Sequence, residues 1–170
     1  MPPVSFSEQL TIRSAQPTDA ATIFDLIRAL AEYEKLSHQV TGDVERLAAH
    51  LFGERPYAEA LLAQWNGRSV GFALFFYRYS TFLTEPGIYL EDLFVLKDYR
   101  GRGIGKALIG QVARIALERG CPRLEWAVLD WNEPAIAFYR SLGASVLPDW
   151  RVCRLMEDSL GDFVSRIATD

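Results

Sequence analysis

The sequence predicts an α/β protein: a mixed sheet with helices on both faces. Three observations predict it. Apolar residues recur with period 2 and period 3.6 in alternating stretches of the 170 residues. Asn66-Gly67 joins two apolar runs. A glycine-rich turn, Arg100-Gly101-Arg102-Gly103-Ile104-Gly105, stands between a strand pattern and a helix pattern.

The first element is Leu10 to Gln16, whose alternation is that of a half-buried strand, and Pro17-Thr18-Asp19 supplies a helix start. The helix that follows carries Ile23, Leu26, Ile27 and Leu30 on one face, which extends to Tyr33 and Glu34, so an acid ends an apolar stripe. A second helix is expected from Thr41, as its cap, to Phe52, with Gly53 as its stop. Ala58 to Trp65 and Ser69 to Ser80 flank Asn66-Gly67 and read as an antiparallel hairpin. Gly71 to Tyr77 is apolar on both faces, as in a strand covered on each side. Gly87 to Val95 reads as the next strand, and Ile104 to Arg119 as a long helix ended by Gly120. Arg123 to Trp131 is expected as a strand, Asn132 to Leu142 as a short helix with Pro134 near its start and Gly143 past its end, and 144–149 with 151–156 as a closing hairpin. These elements form one domain over residues 10–168 behind an N-terminal tail of residues 1–9.

The tail lacks the basic and apolar stretches of a secretory signal, and no segment approaches about 18 unbroken apolar residues, so a cytoplasmic location without a membrane partner is expected. Cys121, Cys153, His38 and His50 are scattered and form no metal-ligand cluster. A net charge of −4 and a pI near 5.3 argue against nucleic acid and suit a cationic partner.

A strand, a glycine-rich turn and a helix make a device for phosphate-containing ligands, because glycines admit close approach and the helix N-terminus favours negative charge. The turn fits neither common nucleotide loop. Three residues stand between Gly101 and Gly105 where a Walker A loop needs four, and Ala107 follows Lys106 where that loop needs Ser or Thr. Its G-x-G-x-G spacing also differs from the G-x-G-x-x-G of dinucleotide folds.

With Tyr89-Leu90-Glu91-Asp92-Leu93-Phe94-Val95 before the turn and the run from Trp131 to Tyr139 (WNEPAIAFY) after it, the chain resembles the GNAT acetyltransferase superfamily from residue 10 to about 165. Ala31-Glu32-Tyr33-Glu34 extends the likeness to its spermidine/spermine (diamine) branch. The resemblance implies a mixed, mostly antiparallel sheet of about seven strands flanked by helices, acetyl-CoA as cosubstrate without a metal, a small cationic amine as acceptor, and a homodimer. It assigns acetyl-CoA to Arg100, Gly101, Arg102, Gly103, Ile104, Gly105 and Lys106, to the backbone of Leu93, Phe94 and Val95 at a strand bulge, and to Asn132, Pro134 and Ala135.

It makes Tyr139 the acid for the leaving thiolate; Glu91, a carboxylate costly in an otherwise apolar strand unless it meets water or a cation, is the candidate base, acting through ordered water because a carboxylate near 4 is far below an alkylammonium near 10. Tyr33, Glu34 and Trp126, with Glu91, are the expected amine contacts, while Asp92 is expected on the opposite face in a structural or dimer-related role. Read from spacing alone, Tyr139 is a core aromatic, Glu91 a salt-bridge carboxylate, Tyr33-Glu34 a helix end at solvent and Asn132 a helix cap. A peptide or protein lysine acetyltransferase and a non-catalytic acetyl-CoA-binding module are the alternatives. The chain departs from the diamine branch at Phe82 and at Pro148-Asp149-Trp150-Arg151, both near the expected pocket, so the length of the amine is open.

Overall fold

In the computed structural model, residues 3–5 and 8–167 are described. Residues 1–2 and 6–7 of the expected tail and residue 168, the expected end of the domain, lie outside them. The chain divides into two units, Met1–Ala127 and Val128–Asp170.

In the first unit six strands form one sheet in chain order: β1 (Val4–Ser5), β2 (Leu10–Ser14), β3 (Glu59–Trp65), β4 (Arg68–Ser80), β5 (Glu85–Val95) and β6 (Leu124–Glu125). All neighbours are antiparallel except β5 and β6. The sheet is therefore mixed and mostly antiparallel, with six strands among the described residues against about seven expected. β1, inside the expected tail, sets Val4 against Ile12. Asn66 and Gly67 both take positive φ (50° and 79°), the two-residue turn whose twist matches the flanking strands.

Helices α1 (Ala20–Tyr33) and α2 (Val44–Phe52) cover one face. Ile23, Leu26 and Leu51 pack there against Leu62, Phe72, Leu74 and Phe94. By the period-2 rule Leu61, Ala63, Ala73 and Phe75 face the other side, and α3 (Ile104–Glu118) contacts β2 to β5 there, burying Ile104, Leu108, Val112 and Ile115. The start of α1 is fixed by Asp19, which takes a bidentate bond from Arg13 (2.6 and 2.8 Å) and accepts the Gln16 amide at 2.7 Å. The cap of α2 is Asp43 and not the expected Thr41, because the Asp43 carboxylate accepts the Arg46 amide at 2.7 Å. Gly53 does end α2: a Cβ there would stand 2.4 Å from the Ala49 carbonyl oxygen.

The register of β4 and β5 slips at one place. Leu74 faces Asp92 and Phe75 faces Leu90, so Glu91 is the extra, bulged residue. On its other edge β5 pairs, among the described residues, only through Ile88 and Tyr89, ahead of the bulge, with Leu124 and Glu125. The strand expected from Arg123 to Trp131 is thus two residues long, since a bulged, bent edge offers no continuing ladder.

In the second unit α4 (Glu133–Ser141) has Asn132 as its cap, Pro134 in its first turn and Gly143 (φ 90°) past its end. The expected closing hairpin does not form. Its two halves were separated by Trp150 alone, shorter than the two-residue loop an antiparallel pair needs, and Pro148 removes an amide donor. Residues 144–156 carry no helix or strand, and α5 (Glu157–Ile167), absent from the sequence reading, follows them.

Candidate active site

The first unit brings three carboxyl groups together around the bulge. Cross-strand partners share a face, so Asp92, opposite Leu74, lies on the side of the sheet that α1 covers. Simple alternation through Leu90 would have sent it to the α3 side, and the extra residue at Glu91 reverses it. Glu34, the C-terminal cap residue of α1, is half-buried, and burial pushes its carboxyl above the ordinary range. Burial pushes the Asp92 carboxyl up to about 7, with the negative charges of Glu91 and Glu34 adding to the rise. Sequence reasoning singled out Glu34 and Glu91 and set Asp92 aside as structural. The signal that finds it is the Glu-Asp pair itself: a bulge at the first acid turns the second to the other face, so Glu91 stays exposed while Asp92 is partly buried on the α1 side.

The end of α1 is unusually well defined. Leu36 and Lys35 donate their amides to Ala31 and Glu32 carbonyls at 2.8 and 3.1 Å, a Schellman closure with Lys35 in the left-handed position (φ 61°) that glycine favours. That closure fixes where Tyr33 and Glu34 emerge. Tyr33 in turn lies under Arg100, whose guanidinium carbon is 4.3 Å from the Tyr33 ring centroid and 5.5 Å from that of Phe94. The Arg100 Nε donates to the Val95 carbonyl at 2.9 Å.

Gly101 and Gly103 take φ of 73° and 77°, and a Cβ on either would enter open space. Gly103 caps α3 without a side-chain acceptor, so the first-turn amides of Ile104, Gly105 and Lys106 are not capped from within the helix. This cradle fits a pyrophosphate: left-handed glycines admit close approach, and amides with the positive helix end meet the charge. Arg102 is turned elsewhere, over Trp65 (5.1 Å) and Tyr99 (5.6 Å), and bonds the Asp98 carbonyl at 3.4 Å. Leu93, Phe94 and Val95 pair in register with Ala73, Phe72 and Gly71, so the irregularity expected at these three lies upstream at Glu91. Glu125 is held by Arg123 (3.0 Å) and Arg78 (3.7 Å), whereas Trp126, just past β6, is half-buried.

In the second unit the Asn132 side chain accepts the Ala135 amide at 3.3 Å, which confirms its capping role, and Tyr139 is buried on the inner face of α4 with Ile136. Among the described residues no group of three or more His, Cys, Asp or Glu side chains is placed to hold a metal ion, and no helix is long and apolar enough to cross a membrane.

Residues 24–144 match the Acetyltransferase (GNAT) family. The chain is 41% identical over 166 residues to a thialysine N-epsilon-acetyltransferase of Mus musculus, covering 91% of this chain and 97% of that protein. It is 34% identical to the L-ornithine N5-acetyltransferase NATA1 of Arabidopsis thaliana, over 88% of this chain and 85% of the relative. Among solved structures it resembles an integron cassette protein from the mobile metagenome of V. cholerae, with a TM-score of 0.77, 25% identity, and coverage of 93% and 99% of the two chains.

Proposed function

The chain belongs to the acetyltransferase (GNAT) family, and on that premise we propose that it transfers acetyl from acetyl-CoA to a primary amine of a small cationic substrate, by direct attack in a ternary complex. Thialysine, ornithine and related diamines are the acceptors that its relatives' names favour. The observation that carries the reading is the convergence of Glu34, Glu91 and Asp92 at the β5 bulge, on the strand that leads into the glycine turn.

Bound acetyl-CoA would supply the activated acetyl group and a thiol leaving group. The chain's own residues supply position, charge and protons. Amides at the start of α3, with Gly101 and Gly103 allowing approach, hold the pyrophosphate, and Arg100 and Lys106 add positive charge, which Arg102 joins only by leaving Trp65 and Tyr99. Asn132, Pro134 and Ala135 face the pantetheine arm in this reading, and whichever amides of Leu93, Phe94 and Val95 the β4 ladder leaves outward-facing polarise the carbonyl.

The three carboxyl groups attract and orient the ammonium ion, with Tyr33 and Trp126 as its aromatic neighbours. An amine attacks only after losing a proton. Between an alkylammonium near 10 and an ordinary carboxylate near 4 lies a gap of about 6 units, and Asp92 at about 7 halves it. We therefore assign the accepting role to Asp92 together with Glu91, through ordered water. Tyr139 donates to the departing thiolate, the step a phenol O–H can supply.

Cytoplasmic location and a homodimer belong to the same proposal. The dimer is supported by Leu160, Phe163, Val164 and Ile167, which recur at helical spacing on α5 and are about half exposed (45–59%). A solution mass of one 19.2 kDa chain would count against it.

An amine panel tests the function. Purified protein with acetyl-CoA should release CoA when given thialysine, ornithine, putrescine or spermidine. CoA binding without turnover on any of them would instead mark a non-catalytic module.

A further inference from the structure

The amine reading gives Tyr33 to the substrate and the turn reading gives Arg100 to the cofactor, yet the two side chains are in direct contact. The Arg100 guanidinium carbon stands 4.3 Å from the Tyr33 ring centroid, inside the range of a cation–π contact, and Phe94 is the second ring at 5.5 Å. A stacked guanidinium still slides over the ring, but here the Nε–H also donates to the Val95 carbonyl at 2.9 Å. One restraint fixes the plane and the other its direction. An arginine held in both ways presents its remaining N–H groups along a fixed line and loses little freedom on meeting an anion.

The ring is itself held. Tyr33 is the last residue of α1, and the Schellman closure through Leu36 and Ala31 anchors that end of the helix. Arg100 opens the turn, five residues after Val95 and three before Gly103. A single chain of contacts thus runs from the end of α1 to the start of the phosphate cradle.

We infer that Tyr33 is a positioning residue for the cofactor turn, aiming the Arg100 guanidinium, so that the helix end assigned to the amine also sets acetyl-CoA affinity. The inference rests on the proposed cofactor role of the turn. It makes the two ligands energetically coupled through one aromatic ring, and it predicts an effect of Tyr33 on CoA binding when no amine is present.

Titration calorimetry of coenzyme A alone, without amine, tests it on the wild type, Tyr33→Phe, Tyr33→Leu and Tyr33→Met. Phenylalanine keeps the ring face and should bind CoA as the wild type does. Leucine and methionine remove it and should weaken CoA binding by about 3- to 10-fold. In an Arg100→Lys background, which keeps the charge but loses the planar stack, Tyr33→Leu should cost no more. Two aliphatic variants guard against one that does not fold, and circular dichroism identifies it. Unchanged CoA affinity in a folded Tyr33→Leu or Tyr33→Met, with a raised KM for the amine, overturns the inference and leaves Tyr33 as an amine contact only. No CoA binding by the wild type overturns the cofactor reading of the turn, and this inference with it.

Discussion

At Asp92 a strand bulge, partial burial and two neighbouring acids act on one carboxyl group, raising it to about 7. A carboxyl that holds its proton more tightly folded than unfolded lowers stability as pH rises from its ordinary value, near 4, through about 7. Asp92→Asn should therefore be neutral near pH 4 and more stable than the wild type by about 1–3 kcal/mol at pH 8, read as a pH-dependent shift of the urea midpoint. The same variant should lower kcat/KM by about 100-fold or more and erase the acid limb near pH 7. Tyr139→Phe should lower kcat while CoA affinity holds. An unchanged limb in Asp92→Asn would return the base role to Glu91 alone. Glu91, Glu34 and Tyr139 enter the proposed site from the sequence because an acid in an apolar strand, an acid on an apolar stripe and a family-matched phenol each stand out in one dimension. Asp92 does not, since its face depends on a slip of one residue that only the pairing with Leu74 reveals.

The elements that position these groups differ in how openly the sequence announces them. Asn66-Gly67 fixes its hairpin locally, and Pro134 and Gly143 bracket α4, because the conformations those residues favour are intrinsic to them. The length of β6 depends on a neighbouring edge, and the fate of 144–156 on pairing partners, neither of which is written in local pattern. Lys35 is an intermediate case. Nothing in its side chain calls for φ 61°, yet the Schellman closure that displays Tyr33 and Glu34 requires it. Lys35→Gly should relieve the left-handed strain and stabilise the protein by about 0.5–1 kcal/mol in chemical denaturation. A loss of stability would mean that the lysine side chain contributes more than its backbone costs.

Over the whole molecule the net charge of −4 is modest, but the arrangement of charges is specific. Arginines gather at the turn between β5 and α3, while three acids gather at the bulge a few residues upstream, so in the proposed function an anionic cofactor and a cationic acceptor each meet charge of the opposite sign. Composition hinted at the second and was silent on the first, which came from glycine spacing. The chain's 41% identity to a thialysine N-epsilon-acetyltransferase agrees with a small diamine-like acceptor more closely than with a protein substrate. The most direct measurement is the initial rate of CoA release from acetyl-CoA with thialysine, its product identified by mass. Saturable turnover giving the mono-acetylated amine is the predicted result. Measurable CoA binding with no acetylated product from thialysine or any other small amine would contradict the proposed function.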